Sequence, residues 1–267
     1  MKIELVVLDL DGTLLASDGS LPQRNAAAIT QVLGQGIGVA IATGKTYWSA
    51  VDIIAELELT LPGVFAQGLL VCAADGTVLR EIMLDYDLVN RVLAYLEERG
   101  LPYIAQNKSG LLVKEENGYD RAICSKYGEP QPRIVGAMAG RAEALHIHKL
   151  LISDKDDLQA RRNDLQRRIG QETTILQAVP EFIEILPRGT SKGAGVRWML
   201  QQLQIAPRAM MAVGDGENDV ELLEMAGLGV AVSNARPELK AVAETVVGSN
   251  NDAGVAEALT RYVLSSK

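Results

Sequence analysis

The chain has 267 residues, 48% of them hydrophobic and 22% charged, with a formal net charge of −8. That length exceeds the usual single domain and predicts a core with an inserted or appended second domain. No apolar run approaches the roughly eighteen residues of a membrane span, and no extended basic run is present, so neither a membrane nor nucleic acid is expected as a partner. An anionic ligand would have to be held by metal and local lysines. Cys72 and Cys124 are far apart and belong to no CxxC pattern, so reduced thiols are expected in place of a disulfide framework or zinc site. Met1 leads directly into a strand pattern with no signal or transit segment, and the expectation is a cytoplasmic protein.

In chain order, "IELVVLDL" is a continuous apolar run of strand length, "LPQRNAAAITQVLGQG" has helical spacing ending in glycines, and "IGVAIATG" is a second buried run. These make a βαβ unit. "TYWSAVDIIAELEL" reads as the next helix, and "VFAQGLLVCAADGTVLREI" as a strand pair turning at Asp75-Gly76. From Leu84 to Pro187 the pattern changes. It runs as helix "YDLVNRVLAYLEERG", strands "LPYIAQ" and "GLLVKE", a short helix near "YDRAICSKYG", strand "HIHKLLIS", helix "KDDLQARRNDLQRRIG", and the strand pair "TTILQAVP" and "FIEILP". The alternation then returns with "GTSKGAGVRWMLQQLQI", "AMMAVGDGEND", "VELLEMAGLG", "VAVSNA" and helix "RPELKAVAE". The expected fold is α/β: a doubly wound parallel-sheet core, residues 1–83 and 188–267, interrupted by an α+β cap at 84–187 with a largely antiparallel sheet.

Two carboxylates, Asp9 and Asp11, stand two apart where the first apolar run meets Gly12-Thr13. In an open parallel sheet, ligands bind beyond the carboxyl ends of the strands, so this pair belongs at a mouth and not in the core. Carboxylates that close repel, and either one stays protonated or a cation lies between them. Mg²⁺, with its preference for oxygen ligands, would let Asp9 ionise. The competing reading is a solvated "DG" turn at a strand end.

Three more segments bear on that choice. "IATGK" offers the Thr43 hydroxyl and a close backbone amide at Gly44 before a helix start, a place suited to an anion, although threonine is also an ordinary cap. In "GTSKG", Lys192 falls in the first helical turn after Ser191, where the helix dipole disfavours a cation unless an anion shares the space; a phosphate would supply one. "VGDGENDVELL" carries Asp215, Asn218 and Asp219 at spacings that share one face of a helix start, near enough to hold a hydrated metal. It lacks the ligand alternation of an EF-hand.

The set "DLDGTL", "ATGK", "TSKG" and "GDGENDVELL", in this order and each at a strand end or helix start, resembles the haloacid dehalogenase superfamily. The long insert between the second and third segments is similar to that of its Cof-type phosphatases, which carry an α/β cap. The resemblance implies a Mg²⁺-dependent phosphatase acting on small phosphorylated metabolites. It implies that Asp9 is the nucleophile that becomes an aspartyl-phosphate, and Asp11 the general acid/base whose backbone carbonyl reaches the metal. It implies phosphate contacts from Asp11, Gly12, Thr43, Gly44, Lys192 and Asn218, with Lys192 also catalytic, and a metal site of Asp9, Asp11, Asp215 and Asp219. A phosphomutase of the same superfamily would share all four segments. A non-catalytic binding module would be free to lose Asp9, Asp11 or Lys192, and all three are present.

The chain departs from the usual Cof-type pattern at Lys45, where many members have arginine, and at Gln67-Gly68, where many have Asn-Gly. Lysine lacks the planar fork of arginine, so these positions bear on specificity. The context "GVFAQGLLV" together with "ATGK" is similar to plastid-type flavin mononucleotide hydrolases, which ranks flavin mononucleotide or a related ribityl phosphate ahead of hexose and pentose phosphates. His146 and His148 are expected on one half-exposed strand face, the arginines of "DDLQARRNDLQRRIG" on a solvated helix with interleaved acids, and Trp48 and Trp198 in or beside the core.

Overall fold

Four consecutive apolar residues, Leu5–Leu8, form a strand in which every side chain is buried, the signature of a strand inside a parallel sheet covered on both faces. The computed structural model describes residues 2–116, 118–154 and 157–265. Met1, Lys155 and Asp156, which the readings of the first strand and of the "KDDLQARRNDLQRRIG" helix take in, lie outside them. Among the described residues the parallel sheet has the order Thr245–Val247, Leu228–Val232, Met210–Gly214, Leu5–Leu8, Gly38–Ile41. Leu5 pairs with Gly38 on one side and Met210 on the other, and Leu8 with Ile41 and Val213. A parallel bridge from Ala42 to Val64 leads into a three-stranded sheet of Gly63–Phe65, Leu70–Cys72 and Val78–Glu81, whose first pair is antiparallel. The stretch read as one strand pair thus holds three strands, because a turn at Ala66–Gly68 breaks its first half. Similarly, the single helix read from "TYWSAVDIIAELEL" is a 3₁₀ turn, Tyr47–Ser49, followed by helix Val51–Glu56.

The chain divides into two compact units. One comprises residues up to Lys45, Ala50–Arg80 and everything from Ser191; the other comprises Thr46–Ser49 and Glu81–Thr190. The first holds the parallel sheet. Its two distant sequence halves are tied by asparagines. Asn25, fully buried in helix Gln23–Gly34, donates to the Leu14 carbonyl at 2.9 Å and accepts the Ala256 N–H at 2.9 Å. Asn250 donates to the Leu15 carbonyl at 2.9 Å.

The second unit is built on a sheet of order Thr173–Leu176, Ile183–Pro187, Lys149–Ile152, Tyr103–Asn107, Gly110–Val113, Arg133–Ile134, antiparallel except for its last pair. Leu88, Val92, Leu93 and Leu96 of helix Tyr86–Glu98 and Leu165 of helix Leu158–Ile169 join Ala105, Leu150 and Ile183 in one core. The other face carries a buried Lys149–Glu184 pair at 2.5 Å. Helix Leu158–Ile169 has the expected solvated character, with Asp164 accepting from Arg168 at 2.8 Å and from the Tyr95 hydroxyl at 2.7 Å.

Two expectations need correction. His146 does not share a strand face with His148, because the strand starts at Lys149. His146 sits exposed in a left-handed conformation after helix Ala142–Leu145, whereas His148 is buried with Nε2 2.8 Å from Glu81 Oε1. Trp48 is 53% exposed rather than packed in a core, with its indole N–H donating to the Lys108 carbonyl at 3.1 Å. Trp198 is half-buried, with the Arg80 guanidinium over its ring. Cys72 and Cys124 are both buried and joined in no disulfide, and no helix among the described residues is long and apolar enough to cross a membrane.

Replacing Asn25 by alanine removes both partners of two buried backbone groups, each costing about 1–3 kcal/mol when left unpaired. Asn25→Ala is therefore expected to lose roughly 2–4 kcal/mol in denaturant unfolding, and Asn251→Ala, at the exposed surface, less than about 0.5 kcal/mol.

Candidate active site

The order of the parallel sheet brings residues from distant parts of the chain to one edge. Strand Leu5–Leu8 has neighbours reached by connections that run in opposite directions, so a crevice opens beyond its carboxyl end. Asp9 follows Leu8 there, its N–H donating to Val213 O at 3.1 Å. Asp215 follows the adjacent strand Met210–Gly214, and Thr43 comes two residues after Gly38–Ile41.

At the centre of that edge lies Lys192. Ser191 caps helix Lys192–Leu203 by accepting the Ala194 N–H at 2.9 Å, which sets Lys192 in the first turn with its side chain wholly buried. Its ammonium donates to Asp9 Oδ1 at 2.6 Å and to Asp219 Oδ1 at 2.6 Å. The other oxygen of Asp219 accepts the N–H groups of Asp215 and Gly216 at 3.0 Å each, and Asp215 Oδ1 accepts the Thr13 hydroxyl at 3.1 Å. Asp9, Asp215 and Asp219 each offer a carboxylate oxygen, and these oxygens lie within 4.8 Å of one another. Physically, the protein's own carboxylates, Asp9 and Asp219, supply anions beside the lysine at this helix start.

The electrostatics follow from burial and crowding. Burial drives the Asp9 carboxyl well above its ordinary pKa, Lys192 opposes this, and the charges of Asp219 and Asp215 add to it. Asp215 is pushed up to about 6, first by burial and then by Asp219. Burial works against the Lys192 charge, but Asp219 and Asp9 outweigh it and hold the ammonium more firmly protonated than usual. Asp11 is also raised by burial and pulled back by Lys45, whose ammonium lies 2.9 Å from its Oδ1. The cluster thus sets four carboxylates against two ammonium groups, an excess of negative charge suited to a divalent cation with oxygen ligands.

The surrounding loops are fixed by hydrogen bonds. Gly12, at φ +77°, leaves no room for a side chain beside the Asp215 carboxylate, and its carbonyl accepts from Asn234 at 2.7 Å. Thr43 is buried, and its hydroxyl accepts the Lys45 N–H at 3.2 Å. Asn218 donates from Nδ2 to Gln67 Oε1 at 2.9 Å. Ala66, Gln67 and Gly68 have φ of +50°, +60° and +89°. For the two residues with a Cβ, a left-handed backbone costs about 1–2 kcal/mol each. The turn is held by Ala66 N–H donating to Lys45 O at 2.8 Å and Gln67 N–H to Thr43 O at 3.2 Å.

Of the residues singled out from sequence, Asp9, Asp215, Asp219 and Lys192 meet in one buried network. Asp11 stands at its rim, 35% exposed and paired with Lys45, and Asn218 turns its amide to Gln67. Gly12 and Gly44 give close backbone approach, to Asp215 and to the Gln67 amide respectively. The contributions of Thr13 and Asn234 and the partners of Lys45 and Gln67 went unread. Each depends on a contact across the fold, and only the departures at positions 45 and 67 hinted at them.

Residues 6–259 match the haloacid dehalogenase-like hydrolases, and the chain belongs to that family. The family is one of hydrolases, and relatives matched over nearly their whole length are named as phosphatases. An Arabidopsis thaliana protein named endoribonuclease YBEY, chloroplastic, is 35% identical over 272 residues; the match takes in 98% of this chain but only 47% of that relative's length. The 5-amino-6-(5-phospho-D-ribitylamino)uracil phosphatase YcsE of Bacillus subtilis is 26% identical over 99% of this chain and 97% of its own, and an HMP-PP phosphatase of Cronobacter sakazakii 28% identical over 97% and 95%. A haloacid dehalogenase-like hydrolase from Bacteroides thetaiotaomicron shares the fold, with a TM-score of 0.87 at 24% identity over 97% of this chain and 99% of its own.

Removing the buried cation leaves Asp9 without its ammonium partner and Asp219 with only its two backbone N–H donors. Lys192→Met is expected to cost about 3–5 kcal/mol of stability near neutral pH. Asp9 and Asp215 have raised pKa values, so they take up protons as pH falls and the loss shrinks towards pH 5. Urea melts at the two pH values measure it; an equal loss at both would contradict this electrostatic account.

Proposed function

We propose that the chain is a Mg²⁺-dependent phosphomonoesterase that works through an aspartyl-phosphate on Asp9. The observation that carries this reading is the buried Lys192 ammonium joined to both Asp9 and Asp219, with Asp215 within reach of the same point. The donors there are carboxylate oxygens, which fit a hard divalent cation. In this reading Asp9, Asp215, Asp219 and the backbone carbonyl of Asp11 hold Mg²⁺, and the ion when bound neutralises charge on the phosphoryl oxygens.

The chain's own groups account for the rest. Lys192, Thr43 and Asn218, with backbone amides near Gly12 and Gly44, bind the phosphoryl oxygens and hold phosphorus against Asp9. An oxygen of the Asp9 carboxylate attacks phosphorus, the ester P–O bond breaks, and the leaving alkoxide takes the proton of the Asp11 carboxylic acid. The raised Asp11 pKa favours having that proton available. Water then attacks the phosphorus of the acyl phosphate, yielding its proton to the Asp11 carboxylate. Inorganic phosphate leaves and the Asp9 carboxylate is restored.

For substrate, the reading favours a small phosphorylated metabolite, with flavin mononucleotide or a related ribityl phosphate ahead of hexose and pentose phosphates. A relative named as acting on a phosphoribitylamino-uracil supports the ribityl class. The reading places the enzyme in the cytoplasm.

Asp9→Asn is expected to fold and to lose phosphate release by on the order of 10³-fold or more, with no phosphorylated protein by intact mass; near wild-type release would remove the covalent mechanism. A folded-state pKa of about 6 for Asp215, against 3.8 as its ordinary value, means that the metal-free fold binds a proton more tightly than the unfolded chain. Stability therefore falls as pH rises from about 4 to 6, and the cost is present in full above that. Added Mg²⁺ should raise Tm more at pH 7.5 than at pH 5, and an equal or reversed shift would count against a carboxylate metal site. On a panel of phosphoesters, the substrate ranking requires kcat/KM for a ribityl phosphate to exceed that for hexose phosphates and a generic aryl phosphate.

A further inference from the structure

Gln67 is 1% exposed and occupies a left-handed backbone position between two other left-handed residues, Ala66 and Gly68. A glycine would fit that backbone without strain, so the conformation itself gives no reason for a glutamine. What the side chain adds is contact. Its Oε1 accepts from Asn218, its amide packs so closely on Gly44 that a Cβ there would stand 2.5 Å from Nε2, and its backbone N–H holds the Thr43 carbonyl. The neighbouring Gly68 abuts the Ser191 carbonyl, and a Cβ at Gly195 would lie 2.7 Å from the Gly68 Cα, so the same turn seats the start of the helix that carries Lys192. One strained turn therefore touches the three segments bearing Thr43, Lys192 and Asn218.

We propose that Gln67 is a positioning residue that acts through Asn218. By accepting from Nδ2 it sets the direction of the Asn218 amide, and by its contacts with Thr43 and Gly44 it locks that direction to the loop on the opposite side. The inference rests on the phosphatase reading, in which Asn218 and Thr43 meet the phosphoryl group of both substrate and product. A displaced Asn218 then weakens binding of each alike.

The test is steady-state kinetics with Mg²⁺ and inorganic phosphate as product inhibitor, on wild type, Gln67→Ala, Asn218→Ala and the double variant. Gln67→Ala should raise KM and the inhibition constant of phosphate together, by about five- to tenfold. Asn218→Ala should do the same, and the double variant should be no worse than Asn218→Ala alone, as for residues acting in one chain. A merely structural residue would reduce the folded fraction and so lower kcat with KM and phosphate inhibition unchanged. That result, or losses that multiply in the double variant, would overturn the proposal. Should Gln67→Ala not fold, Gln67→Asn carries the test. Asparagine tolerates the left-handed backbone but is one methylene too short to hold Asn218, and the same joint rise in both constants is expected, at least twofold. Wild type that hydrolyses no phosphoester on the panel and binds no phosphate would sink the phosphatase reading and this inference with it. An active wild type with unchanged constants in the variants would sink the inference alone.

Discussion

The ammonium of Lys192 sits out of water between Asp9 and Asp219, and much of the first unit can be understood as what this placement demands. A buried cation is tolerable only when carboxylates meet it at hydrogen-bond distance, and buried carboxylates are tolerable only when their remaining lone pairs are used. Asp219 meets that condition with two backbone N–H groups, and Asp215 partly so with the Thr13 hydroxyl. Compensation is incomplete, and the raised pKa of Asp9 and of Asp215 is the expression of the surplus. Sites that do chemistry on anions commonly keep such an imbalance, because a fully neutralised cluster would have little to offer a cation or phosphoryl group.

Holding that cluster falls to backbone features that look unremarkable one by one. Parallel pairing of Leu5–Leu8 with Met210–Gly214 sets Asp9 beside the loop of Asp215. Glycines at 12 and 214 leave the volume that the carboxylates of Asp215 and Asp219 fill. Asparagines 25, 234 and 250 bond the carbonyls of Leu14, Gly12 and Leu15, so the loop carrying Asp11 is fastened along its length by side chains from elsewhere. Local strain is stored on the opposite side, in the Ala66–Gly68 turn, where neighbouring carbonyls compensate it.

The second unit obeys different rules. Its sheet is antiparallel over most of its width; one face packs on a continuous apolar core with the helices, and the other holds a smaller buried cluster of Ile104, Leu111, Val113 and Phe182 together with the Lys149–Glu184 pair.

The doubly wound core, the insert and the four segments around Asp9, Thr43, Lys192 and Asp215 were legible from sequence, because strand runs, caps and carboxylate spacing are local properties that survive without knowledge of neighbours. Asp9 could be assigned to a strand end, and Lys192 to a first helical turn, from residues within a few positions of each. What anion stood by Lys192 was decided only in three dimensions: Asp9 is 183 residues away and Asp219 is 27. The same holds for the break at Ala66–Gly68. Nothing local marks Ala66 and Gln67 as left-handed, and the carbonyls of Thr43 and Lys45 that hold them there belong to another strand's loop. Nor could spacing reveal that His146 leaves the strand of its neighbours or that Trp48 faces outward. Periodicity encodes which way a side chain points relative to its own element, whereas the partner it meets depends on how distant elements pack, and that is a property of the tertiary structure alone.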